Sequence, residues 1–195
     1  RQTYFGNDQY QPFAPGLKSM DDAAEIRRRI LLAFEEAEFE ADQAARRAKL
    51  TFVVVGGGPT GVELTSAIRD VASHALPEDF RYIDSSTARV LLIHGGDRLL
   101  PMMPEDLSHK VERDLKKMGA EIRLKSRVTD VTAQGVMIDD EFVPAHNVFW
   151  AAGVEGQSFV HSMGVELDRA GRIVVGPDMA IAGHSNVFAV GDAAH

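Results

Sequence analysis

Apolar positions along this chain change period several times, and each change marks an element. Residues 1–18, with Gly6, Pro12, Pro15 and Gly16 among aromatics, read as an ordered loop. Ser19 and Asp22 then form a capping-box pattern that starts a helix. Beyond it Ile26, Ile30, Phe34, Ala37 and Ala41 fall on one face at helical spacing, opposite Glu25, Arg28, Glu35 and Glu36. The stripe predicts a helix from Met20 to Phe39, continuing more weakly toward Arg47, with its apolar side in a core.

From Leu50 the period changes. Leu50 to Val55 is a β-branched apolar run ending in glycines, as in a buried parallel strand, and residues 59–75 follow as a helix. Arg89 to His94 is a second such strand, after residues 77–88 that read as an inserted loop. Pro104, Glu105 and Asp106 open a helix that ends near Met118 and Gly119, and Glu121 to Leu124 is a third strand. This alternation predicts an α/β fold, a Rossmann-like parallel sheet with right-handed crossovers. Residues 128–132, 136–138 and 142–143 alternate between turn signals and predict an antiparallel β-meander. Val148 to Gly153 is a fourth core strand, residues 154–186 are loop-rich, and Val187 to Val190 is a last strand. It runs into a Gly191-Asp192 turn that ordinarily needs a covering helix, and the chain opens without methionine, so a piece of a longer protein is expected.

Composition narrows the function classes. The 195 residues carry a net charge of -8 and no basic stripe, which argues against nucleic acid as a partner. Cysteine is absent, excluding thiolate chemistry and disulfides within this stretch. The seven histidines show no metal-ligand spacing, no Ser-His-Asp arrangement stands out, and no catalytic side chain is nominated. No apolar run approaches the roughly 18 residues of a membrane span.

The chemistry gathers at Gly56-Gly57-Gly58-Pro59-Thr60-Gly61-Val62-Glu63. Gly56, Gly58 and Gly61 satisfy G-x-G-x-x-G between a strand and a helix, the pattern that binds a dinucleotide. Gly56 suits the tight turn, Gly58 the close approach of a pyrophosphate, and Gly61 the packing of helix on strand. Amides such as those of Thr60 and Gly61 would meet the phosphate at the helix start, where Pro59 offers none. Glu63 lies one turn into the helix, toward the nicotinamide half; alternatively, Thr60 and Glu63 form a capping box. The second strand ends in His94 rather than the usual acidic residue for the adenosine ribose. His94 can donate to a ribose hydroxyl and, with Arg98, tolerate a 2′-phosphate, so NADH against NADPH stays open. The plain alternative is a surface histidine at a strand end. Ala152-Gly153 and Gly191-Asp192 are the other small-residue strand ends, suited to a flat ring lying on backbone or to turn chemistry.

Val53 to Glu63, then Asp97-Arg98-Leu99-Leu100-Pro101, then Trp150-Ala151-Ala152-Gly153-Val154, then Val187 to Asp192 resemble the two-dinucleotide-binding-domain flavoproteins. Within them the chain most resembles the type II NADH dehydrogenases, single-subunit NADH:quinone oxidoreductases; the stretches Tyr4-Phe5-Gly6 and Phe13 through the first helix are similar too. The resemblance implies an NADH domain at 50–154 between pieces of an FAD domain at 1–49 and 155–195. It implies NADH and FAD as cofactors and a quinone as partner. Gly56, Gly58 and Gly61 would cradle the NADH pyrophosphate, with Glu63 near the nicotinamide. Ala152 and Gly153 would border the nucleotide beside the flavin, and Asp192 would hold the FAD ribityl chain. It further implies a cytoplasmic place at the inner face of the cell membrane, reached through regions outside this chain, and allows a homodimer. The chain by itself is expected to keep some nucleotide affinity without turnover. Competing readings are a ferredoxin-reductase-like or sulfide:quinone-like enzyme, the latter disfavoured by the missing cysteines, and a non-catalytic NAD(H)-sensing module.

Overall fold

The computed structural model describes residues 3–153, 158–169 and 171–195. Two compact units divide the chain: Gly6–Ala152, and the residues up to Phe5 together with Gly153–His195. Residues 6–49, assigned from the resemblance to a flanking domain, pack with the sheet of the first unit.

Helix α1 spans Met20–Phe39, with the capping box in place. Ser19 Oγ accepts the Asp22 amide at 3.1 Å, and Asp22 accepts the amides of Ser19 and Lys18 at 2.8 and 2.9 Å. Burial pushes the Asp22 carboxyl up, but those bonds outweigh it and hold it below the usual aspartate value. The expected weak continuation toward Arg47 is instead a break. Glu40 and Asp42 are extended, and Asp42 caps a separate helix α2, Gln43–Lys49, by accepting the Ala45 amide at 2.7 Å. The Arg46 guanidinium returns to the Glu40 carbonyl and ties the two ends together. Ala41, placed on the helical stripe by sequence, is exposed in that link.

Four parallel strands, β1 (Thr51–Val55), β2 (Arg89–Ile93), β3 (Ala120–Arg123) and β7 (Asn147–Trp150), stand in the order β3-β2-β1-β7. Helices α3 (Pro59–Asp70) and α4 (Glu105–Lys117) make the two crossovers, and the chain then returns to the far side of β1. Phe52, Val54, Val90, Leu92 and Phe149 from the strands pack with Ile30, Phe34 and Ala37 of α1, Ile68 of α3 and Leu115 of α4. Val53, Leu91 and Val148 are buried as well, which is why these strands read as unbroken apolar runs. The meander is β4 (Val128–Thr132), β5 (Gly135–Ile138) and β6 (Glu141–Pro144), antiparallel and in sequence order.

Two elements differ from the sequence expectation. The helix predicted over 59–75 is α-helical only to Asp70 and continues as a π turn, Val71–Ala75. The inserted loop after it is well tied. Glu38 of α1 accepts the amides of Arg81, Tyr82 and Ile83 at 2.9 to 3.1 Å, while Phe80 stacks on Phe34. In the second unit the last strand is β9 (His184–Phe188), paired antiparallel with β8 (Ala180–Ile181), and Val190 lies beyond it, 68% exposed. The last strand expected at 187–190 thus begins earlier and ends at Phe188, as one arm of a local hairpin turning at Gly183.

Candidate functional site

The glycine turn sits at the carboxyl end of β1, between β2 and β7. Because the crossovers build one side of β1 and β7 the other, this is where the strand order reverses. Crevices of that kind are where doubly wound sheets take their ligands.

Three glycines explain the turn, two for the protein's own sake. Gly56 has φ +118°, and a Cβ there would stand 2.6 Å from the Ala151 carbonyl carbon at the exit of β7. A Cβ on Gly61 would stand 1.8 Å from the Gly56 oxygen, so only glycine lets α3 close on the turn. Gly58 is different. Its backbone is extended, φ -80° and ψ -176°, and a Cβ there meets nothing within 4 Å. Nothing in the described protein requires glycine at 58. A backbone-hugging ligand would.

Gly58 is also the N-cap of α3, with no side chain to cap it and Pro59 at the first turn. The first amides of a helix have no acceptor within it. Those of Gly58, Thr60 and Gly61 therefore point outward at the positive end of a twelve-residue helix dipole, with no acidic side chain in the first turn. The capping-box reading of Thr60 and Glu63 is corrected by this geometry: the cap lies two residues before Thr60, and the Glu63 side chain is exposed.

Gly57 is occupied internally. Its amide donates to His94 Nδ1 at 3.2 Å, its carbonyl accepts the Leu100 amide at 2.8 Å, and a Cβ there would strike His94 and Leu99 at 2.7 Å. His94 is therefore no loose strand-end residue. Its amide donates to the Arg123 carbonyl at 2.9 Å and its carbonyl accepts the Ser126 amide, which fixes its backbone, while the Gly57 amide on Nδ1 holds the ring. Burial lowers its pKa from the ordinary histidine value, against the pull of Asp97. Arg98 faces elsewhere: its guanidinium donates to the Pro101 and Met103 carbonyls at 2.8 and 3.1 Å. These bonds shape the loop after β2. The run 97–101 thereby braces the glycine turn through buried Leu99 and the Leu100 amide, a role its spacing did not disclose.

Ala151 and Ala152 are half-buried where β7 leaves the sheet, and the Ala151 amide donates to the Val55 carbonyl at 2.7 Å. Gly153 opens the second unit at φ +77°, with Thr3 and Phe5 close around it. Val154 lies outside the described residues. Gly191, at φ +68°, begins a single 3-10 turn that contains Asp192; the Asp192 side chain lies outside the described residues. No group of His, Asp and Glu fit to hold a metal occurs among the described residues, and no described helix is long and apolar enough to cross a membrane.

A family model for pyridine nucleotide-disulphide oxidoreductases matches residues 11–195. A type II NADH:quinone oxidoreductase of Mycobacterium tuberculosis is 46% identical over 202 residues, covering 99% of this chain and 44% of the relative. Another of that name from Haemophilus influenzae is 34% identical, over 75% of this chain and 33% of the relative. Among solved structures, NDH2 from Plasmodium falciparum in complex with NADH superposes with a TM-score of 0.83 at 22% identity, covering all of this chain and 42% of that one. A ferredoxin reductase from Rhodopseudomonas palustris gives 0.66 at 17% identity, over 92% of this chain and 38% of that one. The chain thus spans less than half the length of each of these relatives.

Proposed function

The chain belongs to the pyridine nucleotide-disulphide oxidoreductase family, and from that premise we propose that it carries the NADH site of an FAD-dependent NADH:quinone oxidoreductase. The observation that carries the reading is the open space over Gly58 at the start of α3, where no neighbour crowds the glycine and a pyrophosphate could approach the backbone. The 46% identity to a type II NADH:quinone oxidoreductase supports the choice of NADH and of a quinone acceptor.

On this reading the amides of Gly58, Thr60 and Gly61 hold the pyrophosphate, which the α3 dipole favours. Gly56 and Gly61 let strand and helix close behind it, and Gly57 orders the turn from within. Glu63 takes the nicotinamide side. At the exit of β7, small Ala152 and Gly153 let a ring approach the backbone, and in the turn at Gly191 we assign Asp192 to the FAD ribityl chain. When both are bound, the nicotinamide and the flavin supply hydride transfer, and the protein's part is to hold them in line and keep water out. We divide the chain accordingly into an NADH domain at 50–154 and flanking FAD-domain segments at 1–49 and 155–195. We also place the whole protein in respiratory electron transfer at the inner face of the cell membrane.

The test is NADH oxidation by the whole protein with a soluble short-chain quinone, alongside the flavin released on denaturation. FAD release with quinone-dependent turnover is the expected result. Turnover with a ferredoxin and none with quinone would move the acceptor to the ferredoxin-reductase branch. NADH binding without turnover or flavin would leave a sensing module.

A further inference from the structure

The His94 side chain joins the end of β2 to the glycine turn. An imidazole that accepts a hydrogen bond at Nδ1 carries its single proton on Nε2. The Gly57 amide imposes that arrangement, because it can only donate. Nε2 lies against Gly96, 2.7 Å from where a Cβ would stand, so a side chain at 96 would cover it. No described polar side-chain atom is buried without a partner, so Nε2 is reached from outside.

We propose that His94 is a proton-sensitive latch on the pyrophosphate turn: as neutral imidazole it holds the Gly57 amide through Nδ1 and offers Nε2–H beside Gly96 as donor to the adenosine ribose of the nucleotide. The proposal rests on the nucleotide-site reading above and adds its regulation. His94 is a positioning residue for the turn and a specificity-determining contact for a ribose bearing a free hydroxyl.

The groups around the ring decide the direction. Asp97, on its own turn, favours the proton. From the segment leading to β4, Arg127 lies alongside Gly95 and Lys125 donates its amide to the Gly96 carbonyl. Arg123, at the end of β3, turns its guanidinium to Glu141, and Arg98 turns to the Pro101 and Met103 carbonyls. From α3, Glu63 is exposed. Burial outweighs Asp97 and keeps the ring neutral to below the ordinary value of 6.5. A protonated Nδ1 would face the Gly57 amide donor to donor and release the turn. Nucleotide affinity is therefore constant above the His94 pKa and weakens as pH falls through it. The limiting slope is about tenfold per pH unit, that of one proton.

The experiment titrates the whole protein with ADP-ribose, which keeps the pyrophosphate and the adenosine ribose, by calorimetry from about pH 5 to 8. In His94→Asn the side-chain oxygen takes the Nδ1 position and keeps the latch closed at every pH, but the ribose donor is gone. Its Kd is expected to be flat with pH and about three- to tenfold weaker than wild type near neutrality, the worth of one hydrogen bond. His94→Gln keeps the donor and loses the latch; it too loses the acid limb, which keeps the test decisive if the first variant fails to fold. A wild-type profile as flat as that of the variants, or wild-type affinity in His94→Asn, overturns the proposal while leaving the nucleotide site intact. Absence of ADP-ribose binding by wild type at any pH overturns the site itself.

Discussion

Substitution of Gly58 by alanine separates what the fold needs from what the ligand needs. Beyond its two chain neighbours, the new methyl group meets no described heavy atom within 4 Å, on a backbone at φ -80° that any residue adopts. Two small terms then oppose each other. Alanine restricts the unfolded chain, stabilising by about 0.4–1 kcal/mol. It is also a poor N-cap, costing a comparable amount relative to glycine. The net change is expected within about 1 kcal/mol of zero, a shift in Tm of no more than about 4 °C for a chain of this size. Binding behaves differently, because the methyl group stands where a pyrophosphate would approach the amides of Thr60 and Gly61. A hydrogen bond to a charged group is worth about 1.5–3 kcal/mol. Losing one weakens NADH about ten- to a hundredfold. Fluorescence titration with NADH and thermal denaturation of the same preparation measure both. Unchanged NADH affinity in a folded Gly58→Ala protein would refute the placement of the pyrophosphate. A Tm drop well beyond 5 °C would refute the claim that the space over Gly58 is open.

The reverse pattern is expected at Gly61, where a Cβ would stand 1.8 Å from the Gly56 oxygen. Gly61→Ala should destabilise by about 1–3 kcal/mol, the usual cost of overpacking, and lower Tm by several degrees in the same melts. Arg69 is 7% exposed and donates to the Met118 and Ala88 carbonyls at 2.8 and 2.6 Å, so it fastens α3 to its neighbours. Arg69→Met leaves those carbonyls without a donor and should cost about 2–3 kcal/mol by urea denaturation, with no defect in nucleotide affinity once folded. Burial pushes the Glu38 carboxyl up, but the amides of Arg81, Tyr82 and Ile83 and the charge of Arg46 outweigh it and hold the group below 4.5. A depressed folded pKa stabilises above the unfolded value and loses that contribution as pH falls through the folded one. Glu38→Gln, which sets one oxygen against three amides, should therefore lower Tm near neutrality, speed hydrogen exchange at residues 81–83, and differ progressively less from wild type below about pH 4.5.

What could be read from the sequence was local. Helix α1 begins and ends where its residues predict, because Ser19 and Asp22 settle its start among themselves and the chain turns extended at Glu40. The break before α2 was not visible. Glu40, Ala41 and Asp42 are all compatible with a helix, and the contact that stabilises the break, Arg46 on the Glu40 carbonyl, needs the break to exist first. The last strand was placed a few residues late for a related reason: apolar content at 187–190 marks a strand but names neither its partner nor its start, and the glycine turn at Gly183 pairs the polar residues from His184 as well.

The glycine turn joins both cases. Its spacing was legible because strand, turn and helix are contiguous, yet spacing treats the glycines as one set, and the structure divides them. Gly56 and Gly61 are small because backbone crowds them, and Gly57 because a histidine 37 residues away presses on it. Gly58 is small with no neighbour to require it. Had all four been crowded, the turn would be explained by packing alone and a ligand would be an addition to the argument. Since one is not, packing leaves the smallness of Gly58 unexplained, beyond the modest N-cap preference for glycine over alanine. That residue stands where outward amides and a helix dipole favour negative charge.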